Sequence, residues 1–205
     1  IVEIAEKYKL KVIYDAAHAF GVKINDNSIL DSGDLSILSF HATKVFNTFE
    51  GGAIVSHTAE MKKKIDCLKN FGYQDELTVE GIVINGKMNE LQAAMGLLQL
   101  KHIDSMIEKR KKITQIYVEG LREVIGISLI DDFNKVTHNY AYFPIFINEK
   151  EYGKTRDEVY EELKSHNIYG RRYFYPLISE FSEYRNLSSS SIINLPQAKK
   201  MSREV

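Results

Sequence analysis

A lysine that follows one apolar run and precedes a glycine pair opening another is set up to present its amine. Lys44 has that setting, in Ser39-Phe-His-Ala-Thr-Lys44-Val-Phe-Asn-Thr-Phe-Glu-Gly-Gly-Ala-Ile-Val55. Upstream, Lys11-Val-Ile-Tyr-Asp15 reads as a buried strand of a parallel sheet that ends on a carboxylate. The small residues Ala16, Ala17 and Ala19 around His18 allow close approach there. A second strand, Asp34 to Phe40, ends just before Lys44, so Asp15 and Lys44 face one crevice at the strand ends, where open α/β sheets bind ligands. An amine and a carboxylate in one crevice suit pyridoxal 5'-phosphate (PLP). The amine carries the cofactor aldehyde as a Schiff base, and the carboxylate keeps the pyridine nitrogen protonated so that the ring withdraws electrons.

Taken singly, the same residues have plainer readings. Lys44 reads as a snorkelling surface lysine, since buried lysines are rare. Asp15 reads equally as the N-cap of a helix from Ala16, His18 as a core histidine, and Ser39 as a hydroxyl satisfying a strand end. Asn85-Gly86 reads as a turn, with Asn89 or Glu90 as a helix start.

The elements that must position these groups follow from periodicity. A helix is predicted from Ile1 to Lys9, a strand over Ala53 to Ser56, and a helix from Thr58, its cap, to Asn70. Gly72 to Gly86 reads as a long loop. From Met88 the chain is helical, with a break near Lys101 to Asp104; the stripes Leu91, Ala94, Met95, Leu98 and Ile103, Met106, Ile107, Ile113, Tyr117, Leu121, Val124 are expected to be core. Beyond residue 120, strands over Ile127 to Ile130 and Tyr140 to Ile147, a helix over Thr155 to His166 and strand-like alternation over Ile168 to Tyr175 suggest a small α+β domain. A last helix opens at Pro196.

The chain resembles the DegT/DnrJ/EryC1/StrS family of PLP-dependent sugar aminotransferases. The resemblance rests on Asp15-Ala-Ala-His-Ala-Phe-Gly21, Gly33-Asp-Leu-Ser-Ile-Leu-Ser-Phe-His-Ala-Thr-Lys44, Glu50-Gly-Gly-Ala-Ile-Val55 and Asn85-Gly-Lys-Met-Asn-Glu-Leu-Gln-Ala-Ala94, in that order. It continues through Arg171-Arg-Tyr-Phe-Tyr-Pro176 and Asn194-Leu-Pro-Gln-Ala198, so it covers nearly the whole chain. It implies an α/β protein of PLP-dependent aminotransferase fold type I, similar to aspartate aminotransferase. Residues 1–120 would be the later part of the large parallel-sheet domain, and residues 121–205 a small, incomplete C-terminal α+β domain. A start inside a helix without an initiator methionine fits a partial chain lacking the N-terminal part.

The resemblance also implies roles. Lys44 would bind the cofactor and move the proton in catalysis, Asp15 would meet the pyridine nitrogen, and His18, where many members have glutamine, would border the ring. Ser39 would bind the cofactor phosphate, and Asn85 the phosphate of a neighbouring subunit's cofactor, making the protein a homodimer. His41, Lys87, Arg171, Arg172, Tyr173 and Tyr175 would touch the nucleotide-sugar, its diphosphate meeting cations and its sugar or base meeting aromatic rings; a mixed strand with solvated arginines is the plainer account of residues 171–175. The implied reaction transfers an amino group from an amino acid, usually glutamate, to a nucleotide-linked keto-deoxysugar. The His-Ala-Thr-Lys and Arg-Arg-Tyr-Phe-Tyr-Pro strings look most like members acting on dTDP-4-keto-6-deoxyhexose for surface polysaccharide such as O-antigen, with a 3-keto sugar as the other choice. The alternatives are a PLP-dependent sugar dehydratase, whose family members replace the lysine by histidine, and an inert truncated fragment or interaction module.

Composition excludes little else. The 205 residues carry 27 Lys and Arg against 28 Asp and Glu, a formal net charge of -1 with no global field for nucleic acid or an anionic membrane. The single cysteine, Cys67, excludes an intramolecular disulfide framework and suits a reducing, cytoplasmic setting. No apolar run approaches the roughly 20 residues that span a bilayer, and the six histidines show no metal-ligand spacing.

Overall fold

The computed structural model describes residues 1–131 and 134–205. In chain order its helices and strands are α1 (Val2–Tyr8), β1 (Ile13–Asp15), β2 (Lys23–Ile24), β3 (Asn27–Ser28), β4 (Leu35–Ser39), β5 (Gly52–Ser56), α2 (Ala59–Lys69), α3 (Glu90–Leu100), α4 (Ile103–Leu121), β6 (Ile127–Leu129), β7 (Val136–Thr137), β8 (Ile145–Ile147), α5 (Glu149–Tyr152), α6 (Arg156–Ser165) and α7 (Pro196–Glu204). They fall into two units, Ile1–Lys112 with Phe133–Ala141, and Ile113–Asp132 with Tyr142–Val205.

In the first unit, β4 is the centre of a three-stranded sheet in the order β1-β4-β5. β1 runs parallel to it, Ile13 opposite Leu35 and Asp15 opposite Ile37. β5 runs antiparallel, Ile37 opposite Ile54 and Ser39 opposite Gly52. One face of β4 is closed, with Ser36 and Leu38 buried. The other is open: Ile13, Ile37 and Ile54 are 58%, 44% and 48% exposed, so the expectation of a strand buried on both sides fails for β1. A second small sheet, β3-β2-β7, ties residues 136–137 to the early chain through Ile24 opposite Val136. The predicted strand from Tyr140 to Ile147 is shorter than the alternation suggests, because Tyr140 takes a positive φ of 52° and only β8 is extended in a ladder.

Helix starts follow the caps. The Thr58 side chain accepts the Met61 N–H, and Asn89 and Gln92 form a reciprocal capping box, which moves the start of α3 from Met88 to Glu90. The break between α3 and α4 lies at Lys101–His102, inside the predicted interval. Ile103 is buried with Val45 and Phe46, and Ile107 packs on that cluster, whereas Ile113 and Tyr117 of the same predicted stripe are 53% and 49% exposed, which corrects its later part. The stripe of α3 is corrected, since Leu91 is 83% and Leu98 55% exposed and this face of the helix has no covering layer among the described residues.

In the second unit β6 and β8 pair antiparallel, Ile127 opposite Ile147. Thr155 and Glu158 make the capping box that starts α6, whose Arg156 and Val159 are buried. The strand-like run Ile168 to Tyr175 forms no strand. Arg172 within it turns to α6 instead, donating to Asp157 at 2.6 Å and lying over the Tyr160 ring at 3.9 Å.

Candidate active site

The loop that carries Lys44 leaves β4 and returns into β5 through a neck closed by backbone hydrogen bonds. Phe40 N–H donates to the Gly51 carbonyl at 2.8 Å, and Thr48 N–H donates to the Phe40 carbonyl at 2.9 Å. The Thr48 hydroxyl, almost wholly buried, donates to the Glu50 carbonyl at 2.7 Å. Gly51 stands at φ 147°, where a Cβ would come within 2.5 Å of Thr48 Oγ1, and a Cβ on Gly52 would come within 2.7 Å of the Leu38 carbonyl oxygen. The glycine pair therefore serves close backbone approach. Val45 and Phe46, directly after Lys44, are buried, and the Phe46 ring stacks on Phe20 at 4.3 Å and meets Phe40 edge-on at 4.8 Å. Two apolar anchors thus hold the loop down while the amine before them stays half-buried.

Lys44 Nζ lies 3.2 Å from His18 Nε2. An ammonium group only donates, so with Lys44 charged His18 receives this bond at Nε2 and carries its own proton on Nδ1. Burial, and then the Lys44 charge, hold His18 below the usual histidine range, with the Asp15 carboxylate opposing them. The predicted helix from Ala16 is corrected: the residues after Asp15 form turns, and Asp15 Oδ1 accepts the Ala17 N–H at 3.1 Å. The Asp15 carboxylate is exposed at the carboxyl end of β1.

Ser39 ends β4; its Oγ accepts the His41 N–H at 3.3 Å, a bond that leaves its own hydroxyl proton uncommitted. His41 Nδ1 receives the Thr43 N–H at 3.2 Å and lies 2.9 Å from the Thr43 hydroxyl, so the neutral ring carries its proton on Nε2, which faces Glu50 at 3.6 Å. Asn85, near the end of the 72–86 loop, and Lys87, just after it, lie where that loop folds back on the end of α2. Asn85 bridges Asn70, and Lys87 Nζ donates to Asn70 Oδ1 at 2.7 Å and lies 4.5 Å from the Phe71 ring centroid. Arg171 and Tyr173 belong to the second unit, Arg171 exposed and Tyr173 packed edge-on against Tyr142 and Phe174.

Two features have no counterpart in the sequence reading. The first is Asn139, 4% exposed, whose side-chain amide donates to the carbonyls of His18 and Phe20. Its partners are remote in the chain, and only a lone Asn ahead of an apolar run marks it. The second is a cavity of about 1090 Å³ in the second unit, lined by Phe146, Arg156 and Lys199 among others; of the sequence-predicted substrate contacts it includes Tyr175 alone. Among the described residues no group of three or more His, Cys, Asp or Glu is placed to hold a metal, and no helix is long and apolar enough to cross a membrane.

The sequence profile of the DegT/DnrJ/EryC1/StrS aminotransferase family matches residues 1–205. Two similar proteins are dTDP-4-amino-4,6-dideoxy-D-glucose transaminases, from Shigella dysenteriae (48% identical over 216 residues) and Escherichia coli (48% over 206), each aligned to 100% of this chain. The chain spans 59% and 55% of their lengths. The crystal structure of DesI with its TDP-sugar product superposes with a TM-score of 0.88 at 32% identity, over 99% of this chain and 51% of that one. The mixed α/β unit around β4 is accordingly a fragment of the fold type I aminotransferase architecture. The chain belongs to the DegT/DnrJ/EryC1/StrS aminotransferase family.

Proposed function

We propose that this chain carries the cofactor lysine and the pyridine-facing carboxylate of a PLP-dependent nucleotide-sugar aminotransferase, with dTDP-4-keto-6-deoxyhexose as amino acceptor and glutamate as donor. The observation that carries this reading is the convergence of Lys44, His18 and Asp15 at the ends of β4 and β1. The donor set fits the cofactor: a primary amine in contact with His18, a strand-end carboxylate, and the Ser39 hydroxyl with its proton uncommitted. Lys44 would hold the aldehyde, Asp15 the ring nitrogen and Ser39 the phosphate, with Asn85 reaching the phosphate at the neighbouring subunit's site. When bound, the cofactor supplies the electron sink that lets a substrate C–H proton leave.

Lys44 takes up and returns that proton at Nζ, and the His18 Nε2 acceptor fixes where the amine waits. Asp15 supplies negative charge at the ring nitrogen. Two relatives at 48% identity bear the name dTDP-4-amino-4,6-dideoxy-D-glucose transaminase, which supports the sugar and the 4-position. The presence of Lys44, rather than histidine, supports transamination over dehydration. His41, Lys87, Arg171 and Tyr173 as nucleotide-sugar contacts, a homodimer in which Asn85 reaches the neighbouring site, and a cytoplasmic role in surface-polysaccharide synthesis complete the proposal.

The test is to mix the chain with PLP, reduce with borohydride and map the modified peptide by mass, with Lys44→Ala as control. Selective modification of Lys44 is expected, followed by glutamate-dependent amination of dTDP-4-keto-6-deoxyglucose by the full-length protein. Labelling no greater than in the control removes the cofactor-lysine assignment from this chain.

A further inference from the structure

We propose that Asn139 is a positioning residue of the Lys44 site, clamping from 121 positions along the chain the turn that carries His18 and so setting where His18 meets the Lys44 amine. The inference rests on the proposed role of Lys44. One Asn139 Nδ2 hydrogen goes to the His18 carbonyl at 2.8 Å and the other to the Phe20 carbonyl at 2.9 Å, while Oδ1 accepts the Ala141 N–H at 3.1 Å. This orientation of the amide is the one that pairs: reversed, it would set its oxygen against two carbonyl oxygens and its NH₂ against an N–H. At 4% exposure, no solvent replaces these bonds when they are lost.

The clamp itself is mounted on fixed structure. β7, just before it, pairs with β2 at Lys23 and Ile24. Arg110 of α4 reaches the carbonyls of Tyr140 and Ala141 at 3.4 and 3.5 Å. On the other side, the clamped turn ends in Phe20, whose ring stacks on Phe46 two residues after Lys44. His18 therefore presents its imidazole from a backbone held at its own carbonyl and two residues later. A shift of that backbone moves Nε2 relative to Nζ, because the imidazole is linked to it by only two rotatable bonds.

A purely architectural asparagine would also be buried and satisfied, so the test must read something that stability does not. In the complete chain, Lys44 modification is timed by mass mapping for wild type, Asn139→Ala, His18→Ala and the double variant, with two probes: PLP with borohydride, and acetic anhydride. The urea midpoint of each variant is recorded alongside. Asn139→Ala is expected to change both Lys44 rates by about twofold or more, and to do so only when His18 is present, the coupling that contacting groups show in double-mutant cycles. The loss of urea stability is expected in both backgrounds. Equal rate changes with and without His18 would overturn the proposal and leave Asn139 as a fold residue. If Asn139→Ala does not fold, Asn139→Ser, which keeps one donor, is measured against the same criterion. Coupling seen with acetic anhydride but no PLP attachment in wild type would sink the cofactor reading alone; PLP attachment with no coupling would sink the clamp alone.

Discussion

The two faces of the β1-β4-β5 sheet both carry apolar side chains and differ in how far the described residues cover them. On one, Ser36 and Leu38 of β4 are buried. On the other, Ile37 stands between Asp15 and Ile54, and both isoleucines are about half exposed. Side chains alternate across a strand, so a run such as Leu35-Ser-Ile-Leu-Ser39 places apolar groups on both faces, the pattern of a sheet built to be covered twice. Among the described residues, the closed face and the ladder are what hold Asp15 and Lys44 in place. The open face holds an apolar row with the Asp15 carboxylate at its end.

That contrast can be broken by substitution. Leu38→Ala, on the closed face, should lower unfolding free energy in urea by about 3 kcal/mol, the usual cost of a buried leucine truncation; a loss below about 1 kcal/mol would mean that the closed face is not packed. Ile37→Ser, one residue away, should cost less than about 1 kcal/mol, because much of the side chain already meets solvent, and should reduce self-association in light scattering. An equal loss at both positions would show a covered second face.

The smallest effect sharpens the comparison at the site. His18 is held below its ordinary value, so below about pH 6.5 the unfolded chain binds more protons than the folded one. Stability is therefore complete above that range and declines as pH falls toward the lower folded value. Burial and then the Lys44 charge oppose protonation of the imidazole, and the Asp15 charge favours it. His18→Gln should remove this part of the acid-side decline in urea midpoint between pH 7 and pH 5 (about two units around the free histidine value). An unchanged decline would mean that His18 does not titrate differently on folding.

Caps and strand ends were legible because their signals are local. Thr58, Asn89 with Gln92, and Thr155 with Glu158 each announce a helix within four residues of their own position. Asp15 and Lys44 were legible together because parallel strands bring their carboxyl ends to one edge, and the structure joins both to His18. The run from Ile168 to Tyr175 misled because alternation of aromatic and polar residues is blind to Asp157, the partner that draws Arg172 to α6. β7 was missed at two residues, too short for any periodicity. Asn139 lay beyond reach for another reason: its meaning is carried by two carbonyl groups more than 100 residues away, and carbonyls have no letter in a sequence.

The neck of the Lys44 loop separates what the loop is from what it presents. Its closure uses main-chain groups of Phe40, Thr48 and Gly51, and its tight spacing uses the missing Cβ atoms of Gly51 and Gly52. Neither depends on the side chain at position 44. The side chain at position 44 is thus a tip on an independent handle: exchanging it changes what the loop offers and leaves the main-chain closure in place. The glycines have no such licence, since any side chain there presses on the hinge of the handle itself.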